Sequence, residues 1–168
     1  WWYEAPTWKK HFLRDVAEIR GRYDDYSNLP VDVNEDGWID LVSCNYRSRK
    51  IAWIEHPGGQ LGAWREHVVA LPGPMETARL FDIDGDGRLD VLPNGRNEAS
   101  WWEHRMDRTE EGEQKVVWIK HTLPEELIAH GIGFDDIDGA GRNDLISPNG
   151  RLQAPEGRRT GSWGLGPG

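Results

Sequence analysis

The stretch Asp82-Ile83-Asp84-Gly85-Asp86-Gly87-Arg88-Leu89-Asp90 decides how the rest of the chain is read. Carboxylates fall at its positions 1, 3, 5 and 9, with glycine at position 6. Alternate residues of a tight loop aim their side chains at one centre, and the glycine permits the sharp bend. So many negative groups around one point repel unless a cation sits among them. Calcium suits such a set, because it takes six to eight oxygen ligands at about 2.3–2.6 Å. The carbonyl of position 7 adds a further oxygen. Asp32-Val33-Asn34-Glu35-Asp36-Gly37-Trp38-Ile39-Asp40 follows the same grammar. Asp136-Ile137-Asp138-Gly139-Ala140-Gly141-Arg142-Asn143-Asp144 follows it with alanine at position 5. The candidate ligands are therefore Asp32, Asn34, Asp36, Trp38 and Asp40 in the first loop and Asp82, Asp84, Asp86, Arg88 and Asp90 in the second. In the third they are Asp136, Asp138, Arg142 and Asp144. Trp38, Arg88 and Arg142 enter through their backbone carbonyls. Two Ca²⁺ ions are expected, with a third bound more weakly because one ligand is lost. The competing reading is an acidic turn held by its own Asx hydrogen bonds without metal. An EF-hand is excluded, since it needs an acid at position 12 and a following helix. Position 12 is Ser43, Pro93 or Ser147, and strand-like sequence follows.

Outward from the loops, two further signals recur in fixed order. Trp-x-x-His appears at Trp8–His11, Trp64–His67 and Trp118–His121, and Trp-x-Glu at Trp2–Glu4, Trp53–Glu55 and Trp101–Glu103. A degenerate copy of the latter is read at Trp163. The Trp-x-x-His starts lie 56 and 54 residues apart, and the loop starts 50 and 54. Periods near 50 with several short strands per unit mark propeller blades. The fold expected is all-β: about three four-stranded blades in a single partial β-propeller over 1–168, with repeats at roughly 8–56, 64–104 and 118–163. Pro30-Val31, Leu80-Phe81 and Gly133-Phe134 are expected to lead extended into the loops, and apolar runs rich in β-formers to leave them. The polar stretch 105–116 and the Arg-, Gly- and Pro-rich stretch 151–162 read as loop insertions. A closed propeller needs at least four blades. The chain therefore reads as part of a seven- or eight-bladed ring whose remaining blades are its partners.

The net charge of −9 lies entirely in the three loops, which hold eleven acids and two bases, while the rest of the chain balances. An acidic excess so confined points to bound cations, and the absence of a basic patch argues against nucleic acid. The single cysteine, Cys44, excludes an internal disulfide. No apolar run reaches spanning length, so no membrane segment is expected. No signal peptide is visible, but the chain reads as beginning within a repeat.

The loop-then-strand unit resembles the FG-GAP/VCBS repeats of calcium-binding β-propellers. That resemblance implies a secreted, periplasmic or cell-surface module binding carbohydrate or protein. A shorter stretch, Ala129-His130-Gly131-Ile132-Gly133 with Pro148-Asn149-Gly150, is similar to the propeller domain of aldos-2-ulose dehydratase-like proteins. It implies the alternative of a sugar-acting lyase or dehydratase. In a propeller the strand entering the loop is innermost, and its start faces the channel. That places Tyr26, Asn28 and Arg79 as pocket residues, with Glu76 and His130 as candidate acid and base or as holders of a metal. The bland alternative is a channel lining that only binds water. The repeated Trp-x-x-His histidines read as a blade-packing device.

Overall fold

The computed structural model describes residues 1–157 and 163–165 and folds them into successive antiparallel meanders. Strands β1 (Trp2–Glu4) and β2 (Lys9–His11) form a two-stranded ribbon. The first four-stranded sheet is β3 (Ser27–Val31), β4 (Asp40–Cys44), β5 (Ile51–Glu55) and β6 (Arg65–Ala70). The second is β7 (Met75–Phe81), β8 (Asp90–Gly95), β9 (Ser100–Arg108) and β10 (Gln114–Thr122). The third is β11 (Gly133–Asp135), β12 (Asp144–Ser147), β13 (Gly150–Gln153) and β14 (Gly164–Leu165). Strand order within each sheet is chain order. The only helical piece among the described residues is a short 3₁₀ turn, Glu125–Leu127. The fold is thus the all-β, blade-like one expected, although the described residues do not close into a ring.

The second strand of each sheet starts at position 9 of an acidic loop, and the first strand ends just before position 1. Each loop therefore joins the first and second strands of its own sheet. The Trp-x-Glu signal lies on the third strand and Trp-x-x-His on the fourth, so a repeat counted from Trp-x-x-His crosses from one sheet to the next. Trp163 directly precedes β14 and so marks a fourth strand rather than a third.

The central strands of the first two sheets are largely buried on both faces, which suits their near-continuous apolar sequence. Val42, Cys44, Ile51 and Trp53 of the first sheet pack with Met75, Ala78, Val91 and Trp102 of the second. On the other face of the first sheet, Ala52 and Ile54 pack with Leu13, beside Trp2 and Leu41. Leu92 and Trp101 turn away from the first sheet and pack with Leu145 and Leu152 of the third. Each such large side chain contributes roughly 1.5–3 kcal/mol through burial. The strand β7 touches both β3 and β4, so the first two sheets meet along their first strands.

The histidines of Trp-x-x-His are a packing device, as expected, and the geometry is the same in all three places. His11, His67 and His121 lie directly across from Trp2, Trp53 and Trp101. The rings stack at 4.5, 4.4 and 3.8 Å. Each imidazole Nε2 also reaches the glutamate of Trp-x-Glu: Glu4 at 2.9 Å, Glu55 at 2.7 Å and Glu103 at 3.1 Å. The outer hairpin is thereby pinned by one stacked pair and one polar contact per sheet.

The stretch 105–116 is mostly strand, contrary to its reading as a loop insertion. The strands β9 and β10 pair as far out as Arg108 and Gln114, leaving only a short turn closed by Thr109 and Glu113. This end of the hairpin is largely exposed, so its side chains carry no apolar alternation to announce a strand. Within 151–162, Arg151–Gln153 belong to β13, while residues 158–162 lie outside the described residues.

Candidate functional site

The three acidic loops share one hydrogen-bond frame. The N–H of position 6 donates to the Oδ2 of position 1 in each: Gly37 to Asp32 at 2.9 Å, Gly87 to Asp82 at 3.1 Å and Gly141 to Asp136 at 2.9 Å. The N–H of position 5 donates to the side chain of position 3, as Asp36 to Asn34, Asp86 to Asp84 and Ala140 to Asp138. The N–H of position 7 donates to position 5 where that residue is Asp: Trp38 to Asp36 and Arg88 to Asp86, both at 2.8 Å. These bonds curl the loop so that its side chains converge. One carboxylate oxygen each from Asp82, Asp84 and Asp86 lies within 4.8 Å of the others. A carboxylate has about four lone-pair sites, so an accepted N–H leaves capacity for an ion. The donor set is all oxygen, and it fits a hard cation of calcium's size.

Position 9 also bonds into the frame. Asp40 is fully buried, and its Oδ2 accepts from Val33 N at 3.1 Å and from the Trp53 indole at 2.9 Å. Its Oδ1 accepts from His56 N at 2.7 Å. Asp90 holds Ile83 N at 2.8 Å in the same way. Burial raises the Asp40 carboxyl above its usual range, against the lowering effect of these donors. Burial pushes Asp90 up to about 7, opposed by the Ile83 bond and reinforced by Asp84, Asp86 and Glu103. In the third loop Asp144 accepts from Ala154 N at 3.1 Å, and Arg151 spans Asp138 at 3.3 Å and Asp144 at 3.5 Å. A guanidinium already offsets two carboxylates of the loop that lacks its position-5 acid. The Arg88 side chain pairs with Asp86 at 2.9 Å and reaches Glu35 at 3.6 Å, tying the second loop to the first. His104 is buried nearby, and burial lowers its pKa.

Position 4 takes a left-handed backbone in all three loops, with φ of 57° at Glu35, 78° at Gly85 and 72° at Gly139. Only the first loop places a side chain there. A non-glycine residue in this region costs about 1–2 kcal/mol. The Glu35–Arg88 contact is exposed and returns little. Glu35→Gly is therefore expected to stabilise the protein by about 1 kcal/mol. Denaturant unfolding at fixed calcium measures it, and an unchanged or lower midpoint contradicts the strain argument.

Two of the channel-end candidates come together. The His130 Nδ1 lies 2.8 Å from the Glu76 Oε2, and Arg96 approaches the other oxygen at 4.0 Å. The remaining three make their contacts elsewhere. Arg79 donates to Ala78 O at 3.1 Å, and the Tyr26 ring lies 5.9 Å from Tyr46. Asn28 lines a cleft with Trp1, Trp2, Leu13 and Arg14.

Sequence reasoning missed the residue that holds the pair. Asn94 is buried; its Oδ1 accepts from Glu76 N and Thr77 N at 3.0 and 2.7 Å, and its Nδ2 donates to His130 O at 3.1 Å. The equivalent Asn45 accepts from Tyr26 N, and Asn149 donates to Glu126 O. The signal was present as an asparagine 12 or 13 residues after each loop's first aspartate.

Residues 32–93, from the first loop through the second and into β8, match the FG-GAP-like repeat family. No curated protein matches the chain. The matched segment, an FG-GAP-like repeat, lies on four-stranded antiparallel meanders of the kind that propeller blades are made of. No helix among the described residues is long and apolar enough to cross a membrane.

Proposed function

We propose that these FG-GAP-like blades bind calcium in their inner hairpins and serve outside the cell, secreted, periplasmic or at the surface, as a binding module for carbohydrate or protein. The convergence of Asp82, Asp84 and Asp86 supports the calcium reading. The first loop repeats the frame with Asn34 in place of one carboxylate. The ions hold hairpin loops in shape and take no part in chemistry. Open loops with exposed ligands suit the weak calcium affinity of extracellular modules, about 10⁻⁴–10⁻³ M, and calcium is abundant there. A groove of about 380 Å³ lined by Trp2, His11, Trp38, His56 and Leu61 supports the carbohydrate reading, since aromatic faces pack on sugar rings. Calorimetric titration with calcium is expected to find two sites, with Asp84→Ala removing one. A heat trace identical to buffer overturns the calcium reading.

The Glu76–His130 contact favours a second reading, in which the propeller end acts on an anhydro- or keto-sugar as a lyase or dehydratase. Glutamate and imidazole at this distance can pass a proton to and from a carbon beside a carbonyl. Glu76→Gln is expected to abolish such turnover without altering calcium binding. A wild-type protein inactive on a broad panel of such sugars leaves the binding module alone.

A further inference from the structure

We infer that a cavity at the end of the first sheet opposite its acidic loop binds a single anionic group, a carboxylate or sulfate ester, on a sugar unit. The inference deepens the carbohydrate-binding reading and rests on it. The cavity measures about 280 Å³ and is lined by Ile19, Arg20, Tyr46, Arg47, Arg49 and Pro74. Three of its six lining residues are therefore arginines, in a protein whose net charge is −9. Among the described residues, arginine ion pairs are made by Arg14, Arg88, Arg96 and Arg151, and by none of these three.

The walls are built rather than loose. Both oxygens of buried Asp24 are taken by backbone, from Arg47 N at 2.9 Å and Ser48 N at 2.8 Å, so the turn after β4 is clamped. Arg20 and Arg49 both adopt left-handed backbone, with φ of 53° and 60°. Such conformations persist only where the surroundings impose them, and they gather at ligand sites. Here the turn around Arg20 is closed by Ile19 and Arg22, whose N–H groups donate to each other's carbonyls, and Gly73 N donates to Arg49 O. Two arginines in left-handed backbone and a third on a clamped turn thus line the same cavity.

The chemistry of the walls sets the ligand class. Guanidinium forks match the oxygens of carboxylate and sulfate. Tyr46, backed by Tyr26, and Pro74 offer flat apolar surface to the C–H face of a sugar ring. The volume sits at the small end of ligand pockets, which suits one sugar unit.

Titration calorimetry with galacturonate, galactose 6-sulfate and galactose tests the assignment, and the tighter of the two acids identifies the natural anion. Either acid is expected to bind at least tenfold more tightly than galactose. The double change Arg47→Gln and Arg49→Gln is expected to remove that preference, while Arg105→Gln on β9 leaves it intact. Arg20→Gln, on a separate segment and exposed, is expected to weaken acid binding in the same direction if the double variant fails to fold. Galactose binding as well as the acids, with no effect of the arginine changes, overturns the anion site and leaves carbohydrate binding standing. Failure of all three sugars to bind overturns both.

Discussion

Transfer from about 10 mM calcium into excess chelator is expected to lower the melting temperature by roughly 10–20 °C. An ion that binds only the folded chain stabilises it by RT ln(1 + [L]/Kd), about 2.7 kcal/mol per site at a hundredfold excess over Kd. With Kd near about 10⁻⁴ M, the first and second loops together contribute about 5 kcal/mol. For a domain of this size each kcal/mol moves the midpoint by about 2–4 °C. The third loop adds little, because alanine replaces its position-5 acid and Arg151 already bridges Asp138 and Asp144. Asp86→Ala is accordingly expected to remove about half of the calcium-dependent shift, and Asp138→Ala almost none. Equal melting temperatures with calcium and with chelator would falsify the metal assignment.

Asp40→Ala is expected to destabilise the protein by about 3 kcal/mol, and to do so in chelator as well as in calcium. The substitution strips the acceptor from Val33 N and the Trp53 indole, both buried in the core between the first two sheets. Each orphaned buried donor costs about 1–3 kcal/mol, while His56 N, at a partly exposed residue, can turn to water. Some of the loss is offset, since the carboxylate itself is held above its usual pKa by burial. Asp36→Ala makes the contrast: its side chain is exposed, and its cost should vanish in chelator. Urea unfolding of both variants with and without calcium separates the roles. If the Asp40→Ala penalty disappears in chelator, Asp40 is a ligand and its structural role is wrong.

These two residues show where sequence could and could not see. The alternating acids of 82–90 announced both the loop and the hairpin around it, because ligand convergence and strand exit need fixed short spacings. The same grammar put Asp40 and Asp90 among the ligands. Spacing did not show that both also accept from backbone, Val33 N and Ile83 N, since a count along the chain does not say which amides the loop folds over them. The Trp and His signals were visible as well, but their pairing was not. The partners Trp2 and His11 are 9 residues apart, Trp53 and His67 are 14, and Trp101 and His121 are 20. Outer hairpins of different length bring the same two residues face to face, so no constant spacing betrays the contact. The Glu76–His130 pair was found by counting back six residues from each loop's first aspartate, although Glu76 falls at a register shift in β7 and His130 precedes β11. Tyr26, Asn28 and Arg79 failed to join it because counting gives depth along a strand and says nothing about which neighbouring sheet a side chain meets.

Trp101 and Trp102 are adjacent in the chain yet belong to different cores, one facing the third sheet and the other the first. Ile51 and Ala52 divide in the same manner. A sheet is therefore a link between two joints, with little interior of its own, and the array approximates a one-dimensional chain of nearest-neighbour couplings. Truncating Leu92 weakens the joint to the third sheet while Val91, one residue away, still holds the joint to the first. Under load or heat such a chain parts at its weakest joint and then unzips outward. The free energy that keeps these blades folded is written between them more than within them.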